Sequence, residues 1–309
     1  MEEANREKSS AQEDHIPVDR GGFVQPSSLH DQEGGITLIV LSYERQKGLA
    51  ALLKSLLQQK LNGLNIELIL CNNSPRVRLT MSSLSRTGRL LRKFDDVKVF
   101  NSMYNWHDSI RYNLATAARY ETILFIDDDI TLVDSSFIRY MFDTFLTLGV
   151  ADILSCWNTL WVEWQDDYFS TVSMSFEIPE ITEVTECDTC GTGISMFRKP
   201  VLLNQRVLEV ATRPKFPKAY DMGFSLIAAV EYGSRRYYLP SYGMLKIHKQ
   251  YTQGALSARS GHYDDRYALY KSLFNSGYEP VLSRLSAKSS RDTPEWRAAQ
   301  LLPAVKHQW

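Results

Sequence analysis

No apolar stretch in this chain approaches the roughly 20 consecutive residues that crossing a bilayer requires. Met1-Glu2-Glu3-Ala4-Asn5-Arg6 has no apolar signal region behind it. Both absences set the expectation of a soluble, cytoplasmic protein that stays out of the secretory pathway. An excess of either charge is lacking too. The 35 basic and 36 acidic residues leave a net charge of −1, which argues against nucleic-acid binding by bulk electrostatics. Cysteine is scarce: Cys71, Cys156, Cys187 and Cys190 are the full set. Only Cys187 and Cys190 have metal-like spacing, and no second pair or matching histidines complete a structural zinc site. Reduced thiols are expected. Residues 1–34 carry eight acids, three bases and almost no aliphatic runs, the composition of a disordered arm.

What the chain does have is core material. With 309 residues and 44% hydrophobic content it can build one large α/β domain or two small ones. Order starts at residues 36–41 (ITLIVL), a strand set off by Gly34 and Gly35. Leu49, Leu52, Leu53, Leu56 and Leu57 then form one helical stripe. Residues 66–71 (IELILC) read as a second strand, ended by Asn72, Asn73, Ser74 and Pro75. Residues 97–100 (VKVF) read as a third, followed by a helix over 108–119 and a strand at 123–126. Alternating strands and helices imply a mostly parallel sheet with helices on both faces. Ligands of such sheets gather at the carboxyl ends of the strands, where Tyr43, Asn72, Asn73 and Asp127-Asp128-Asp129 fall. The second half is less regular. Strands are expected at 151–156 and 168–176 around a Trp-rich stretch (Trp157, Trp161, Trp164), then at 193–197, 237–240 and 244–248, with a helix over 221–232. The chain beyond Ser283 reads as a single helix with Thr293 as cap and Pro294 in its first turn. The domain plan is an arm (1–34), an α/β domain (35–282) and a helical tail (283–309).

Three adjacent carboxylates at the end of a buried strand repel one another, and ionising them there is costly. A divalent cation relieves this, since hard carboxylate oxygens suit magnesium or manganese. The plainer alternative is a turn or a helix cap, with Asp129 capping a helix over 135–148.

Three segments in order carry a resemblance: Leu41-Ser42-Tyr43-Glu44-Arg45; Arg111, sixteen residues before Asp127; and Asp221-Met222-Gly223-Phe224-Ser225-Leu226 with Gly233 and Tyr238-Leu239-Pro240. Over residues 36–274 the chain resembles the family 2 glycosyltransferases, inverting enzymes of the GT-A fold that use nucleotide-sugar donors. It is also similar to the exostosin-type retaining transferases. The resemblance implies a GT-A, Rossmann-like α/β fold, a mostly parallel sheet flanked by helices with a smaller mixed half on the acceptor side. It implies Mn²⁺ or Mg²⁺ as cofactor, a UDP-sugar as donor and a hydroxyl of a carbohydrate, protein or lipid as acceptor. By this resemblance Ser42, Tyr43, Arg45, Asn72, Asn73, Arg111, Asp127 and Asp128 would hold the donor. Asp129 would ligate the metal, with Asp127 on the ribose or the metal's water shell and His248 as third ligand. Strand alternation would point Asp128 away from its neighbours. Asp221 would be the general base that takes the acceptor proton, with helix capping as its other reading. Two positions depart from the family pattern: Tyr220 stands where an acid is expected before Asp221, and Asn72 or Asn73 where an aspartate would reach the base.

Other features stay open. Cys190-Gly191-Thr192-Gly193 either brings backbone close to a ligand or simply turns. The three tryptophans stack on sugars or fill the core. Arg76, Arg78, Arg86, Arg89, Arg92 and Lys93 form an acid-free basic run, a solvated face or a contact for an anionic acceptor or membrane. Residues 250–261 read as a mobile loop able to close over the donor. His107 and His262 have no spacing that assigns them. Rival functions are a retaining transferase, a nucleotidyltransferase, whose Gly-rich loop is missing after the first strand, and a non-catalytic sugar- or protein-binding module.

Overall fold

The computed structural model describes residues 35–80, 87–164, 168–212, 219–248, 262–275, 278–286 and 292–308. The expected arm (1–34), the expected loop (250–261) and Arg86 lie outside them, as do the side chains of Trp164 and His262.

Apolar runs alternate with helices through the first half: β1 (Gly35–Ser42), α1 (Gln46–Gln58), β2 (Asn65–Asn72), α2 (Thr87–Lys93), β3 (Asp96–Asn101), α3 (Ser109–Thr116) and β4 (Thr122–Asp127). The helical crossovers make β1 parallel to both β2 and β4, and β2 parallel to β3. Their register aligns the carboxyl ends, with Leu41 beside Asp127, Ser42 beside Asn72 and Asn72 beside Asn101. The polar residues that end these strands therefore share one edge of the sheet. Helix α1 buries Leu49, Leu52, Leu53 and Leu56, the expected stripe, against Ile36, Leu38 and Val40 of β1. The other face of β1, through Ile39, packs with Tyr112 and Ala115 of α3.

The chain continues through β5 (Ile130–Leu132), α4 (Phe137–Leu146), β6 (Ile153–Ser155), β7 (Trp157–Trp164), β8 (Tyr168–Ser175), β9 (Thr185–Cys187), β10 (Thr189–Cys190), β11 (Ile194–Arg198), α5 (Lys199–Leu202), α6 (Gln205–Thr212) and α7 (Tyr220–Tyr232). It ends with β12 (Arg236–Tyr238), β13 (Leu245–Ile247), α8 (His262–Asn275), α9 (Val281–Ser286), α10 (Pro294–Leu301) and β14 (Val305–Gln308). The main sheet runs β3-β2-β1-β4-β11-β6-β12-β9. Beyond β4 it turns mixed, since β11 is antiparallel to β4 and β6, and β12 is parallel to β6. A second sheet, β10-β7-β8-β14, is antiparallel, and β5 pairs with β13. This is the expected α/β fold with its mixed second half.

Three expectations are corrected. The Trp-rich stretch is itself a strand, β7, with Trp161 wholly buried between Phe169 and Tyr270. The chain beyond Ser283 is not one helix: α9, α10 and then β14 follow, and β14 adds to β8 because an edge strand offers unpaired backbone groups. Within it Thr293 does cap α10, accepting from Trp296 N–H, with Pro294 in the first turn. Asp129 caps nothing: α4 opens at Phe137, where Ser136 N–H donates to Asp134 instead. Helix α7 ends at Gly233, whose φ of 64° is the left-handed conformation that glycine adopts without strain. All four cysteines are buried and free.

Candidate active site

Residues 123–126 are wholly buried, and Asp127 is where β4 leaves the core. Asp128 and Asp129 form the turn into β5, and the turn breaks strand alternation. Asp127 faces α3, whereas Asp128 and Asp129 share one guanidinium. Arg45 Nη1 lies 3.1 Å from Asp128 Oδ1 and 2.9 Å from Asp129 Oδ2. Tyr43 N–H also donates to Asp128, at 3.3 Å. Asp128 is thus turned toward the β1 loop together with Asp129 rather than away from it. Burial pushes its carboxyl up to about 7, with Arg45 and Ser42 opposing and the flanking aspartates adding. Asp129 is pushed up to about 6 by burial and by Asp127, against Arg45.

Arg111 answers Asp127. Its Nη2 donates to Asp127 Oδ1 at 2.6 Å and to Asp108 Oδ1 at 3.1 Å, and Nη1 donates to the Thr192 carbonyl at 3.0 Å. It is 2% exposed and lies over the Phe125 ring. Its two Nη groups are turned to protein partners and its Nε is buried without one among the described residues, so the enclosed Arg111 holds Asp127 in place and does not stand open to a base. Gly193 belongs to the same corner. Its carbonyl accepts from Asp127 N–H at 2.8 Å, and a Cβ there would come within 3.4 Å of Asp127 Oδ2. The Cys190–Gly193 segment thus brings its backbone against the Asp127 carboxylate.

Asn72 and Asn73 are likewise buried, at 3% and 1%. The Asn72 amide donates to Asn101 Oδ1 at 2.9 Å and to the Ser74 and Val77 carbonyls. Asn73 donates to Asn105 and to the His107 carbonyl, both at 2.9 Å, and accepts from Trp106 N–H. Both amides knit the loops that follow β2 and β3, so their effect on a ligand would pass through loop shape. The loop they hold exposes Tyr104 and Trp106.

Asp221 lies in the first turn of α7, after an N-cap at Ala219 that receives no side-chain hydrogen bond. The capping reading therefore fails. Arg266 Nη2 from α8 holds both oxygens of Asp221, at 3.1 and 2.9 Å. Asp221 also shares a field with Asp108, Asp127, Arg111 and Arg266: burial raises the Asp108 carboxyl, and the charges of Asp127 and Asp221 raise it further. Tyr220, where an acid was expected, is buried against the α3 side of the core. Asp108 and Arg266 were missed from sequence. Asp108 had a usable signal, three residues before Arg111 on one helix face. Arg266 had none, because only tertiary packing brings α8 to α7.

His248 comes next to the triplet through its backbone. Its N–H donates to the Asp129 carbonyl at 2.8 Å, while ring Nε2 lies 2.7 Å from Thr131 Oγ1. Among the described residues no group of three His, Cys, Asp or Glu is placed to hold a metal ion, so the expected ligand set is not assembled. The carboxylates of Asp127 and Asp129 remain. Magnesium asks a protein for one or two such oxygens and takes the rest from phosphates and water. The donor set therefore fits a cation that arrives with phosphates.

An α/β sheet whose parallel strands deliver clustered carboxylates and arginines to their carboxyl edge has the architecture of the GT-A class. The chain belongs to glycosyl transferase family 2, whose model matches residues 37–202, from β1 through α5. Asp221 and His248 lie beyond that match. No curated protein matches the chain. Among solved structures, S. aureus TarS 1-349 aligns at 16% identity and a TM-score of 0.47, over 67% of this chain and 60% of that one. The longer S. aureus TarS structure aligns at 16% and 0.49, over 87% of this chain and 49% of that one. TarS 1-349 in complex with UDP-GlcNAc aligns at 15% and 0.44, over 73% and 61%. This chain thus spans less than two thirds of each of these chains. Among the described residues no helix is long and apolar enough to cross a membrane.

Proposed function

We propose that this chain is a metal-dependent, inverting glycosyltransferase that moves a sugar from a nucleoside diphosphate donor, UDP by preference, to an acceptor hydroxyl. The observation that carries the reading is the set of five charged side chains, Arg45, Arg111, Asp127, Asp128 and Asp129, at the carboxyl edge of a family 2 sheet. Asp129, with Asp127, would hold Mn²⁺ or Mg²⁺, which when bound supplies Lewis-acid stabilisation of the departing diphosphate. Arg45 is the mobile partner. Its side chain is 20% exposed, and a guanidinium matches phosphate oxygens as well as it matches carboxylates. Donor entry would let it leave Asp129 for the diphosphate. Ser42 and Tyr43 line the same strand end, and Asn72 and Asn73 keep the neighbouring loops in shape.

Asp221 is the proposed base. Its ion pair with Arg266 fixes its direction, and its free lone pairs can take the acceptor proton as the oxygen attacks the anomeric carbon. Arg111 and Asp108 hold Asp127 against this centre. The test is a panel of nucleotide sugars incubated with Mn²⁺ and scored for nucleoside diphosphate release, with and without chelator. Release that needs the cation and is lost in Asp129→Ala is expected. A product of retained anomeric configuration would overturn the inverting assignment.

A further inference from the structure

Arg89, Arg92 and Lys93 of the acid-free basic run lie outside this site. Helix α2 lines a groove of about 450 Å³ with Arg89, Arg92 and Lys93, and α1 completes it with Lys54, Leu57 and Gln58. Among the described residues four cations and no carboxylate line the groove. Elsewhere several surface arginines have acidic partners: Arg139 lies 2.8 Å from Asp143, Arg206 2.5 Å from Glu231, and Arg297 2.9 Å from Glu183. Among the described residues Lys54, Arg89 and Arg92 have no such ion pair, and Lys93 donates only to the Gln59 carbonyl. The like charges are held together by the fold, since Leu90 and Phe94 of the same segment are buried against the α1 stripe.

Topology places the groove away from the candidate active site. Helix α1 leaves the carboxyl end of β1 and runs back, and α2 leads into the start of β3, so the groove lies toward the opposite strand ends. Among the described residues no aromatic side chain lines it, so these offer no platform for a nucleobase. A long soluble polyanion would also meet the 36 acids of a chain whose net charge is −1. A planar anionic surface meets this face alone. Leu91, 52% exposed on the flank of α2, adds apolar area beside the cations.

We propose that this groove docks the chain on an anionic phospholipid surface, with lipid phosphates seated among Lys54, Arg89, Arg92 and Lys93. Guanidinium groups bind phosphate through paired hydrogen bonds, and clustered basic side chains are drawn to anionic lipid within a Debye length. The test sediments the full chain with vesicles of phosphatidylcholine alone or mixed with phosphatidylglycerol. Binding is expected only to the mixed vesicles, and it should weaken as salt rises. The triple variant Lys54→Glu, Arg89→Glu, Arg92→Glu should lose about tenfold or more of it while keeping its circular dichroism and nucleotide-sugar turnover. Arg89→Lys with Arg92→Lys should retain binding. Equal sedimentation of the charge-reversed chain, or no preference for phosphatidylglycerol, overturns the proposal. So does protection of these cations from chemical modification by inorganic phosphate in a chain that no vesicle sediments.

Discussion

Two arginines answer the aspartate triplet, and they do so in opposite ways. Arg111 comes from inside α3, with a side chain 3% exposed and its donors divided among Asp127, Asp108 and Thr192. Arg45 comes from the loop between β1 and α1, is 20% exposed, and touches Asp128 and Asp129 through a single nitrogen. Both neutralise carboxylates, yet only one can be exchanged. Removing a partner from an enclosed pair strands charge in a low-dielectric setting, which costs about 3–5 kcal/mol. A partly exposed contact is worth about 1 kcal/mol or less, because water and phosphates compete for it. The enclosed side is framework, and the open side is where a ligand can act.

The sharpest break of this comparison is at Asp221, which Arg266 holds and which is the proposed base. Asp221→Asn keeps the shape and one acceptor for Arg266, so kcat should drop by about 10² to 10⁴ with donor KM nearly unchanged. Near-normal turnover would remove the base assignment. Next come the arginines as a pair. Arg111→Met should cost about 3–5 kcal/mol in urea unfolding. Arg45→Met should leave unfolding almost unchanged and raise donor KM roughly tenfold, the loss of one charged hydrogen bond. Equal stability losses would erase the distinction.

A smaller effect separates the two sides by pH. Asp128 and Asp129 have folded pKa values raised to about 7 and about 6. Their contribution to stability is therefore full below the ordinary aspartate range and is lost as pH rises through these values. A protonated carboxyl is also a poor ligand. Added Mn²⁺ should then raise the melting temperature at pH 8 and do little at pH 5, a difference that thermal shift reads directly. Glu67 on β2 has the opposite sign. Burial alone would raise it, but hydrogen bonds from Lys98, Thr37 and Arg119 N–H hold it below the usual carboxylate range. Its share of stability is present above the unfolded value and lost as pH falls through the folded one. Glu67→Gln should flatten the acid limb of the stability profile and leave Mn²⁺ stabilisation unchanged. The smallest effect is expected at Gly193→Ala. The new Cβ meets Asp127 Oδ2 at ordinary contact distance, so unfolding should barely change while cation affinity falls severalfold in a titration followed by nucleotide binding.

The first half of the fold was legible because each strand was a continuous apolar run and each helix carried its stripe. Burial on both faces leaves few other options for such segments. The second half was less so. Trp161 and Phe169 lie on strands of a separate antiparallel sheet, and the partner strand β14 comes from the far end of the chain. No local pattern encodes a pairing across more than a hundred residues. The site divided in the same way. Asp127, Asp128 and Asp129 could be picked out as charges at the end of an apolar run, and Arg45, Arg111 and Asp221 through the resemblance to the family. Which of them pair could not be read, because Arg111 to Asp127 and Arg266 to Asp221 are contacts across 16 and 45 residues.

By itself, then, the amino-acid order determined the parallel sheet and which residues reach its carboxyl edge, since periodicity and burial act locally along each segment. Tertiary structure alone decided which of those residues stay available. It turned the Asn72 and Asn73 amides and the Arg111 guanidinium inward, left Arg45 half free, and set Arg266 against Asp221. A buried polar group must find its hydrogen bonds wherever the packed chain places them.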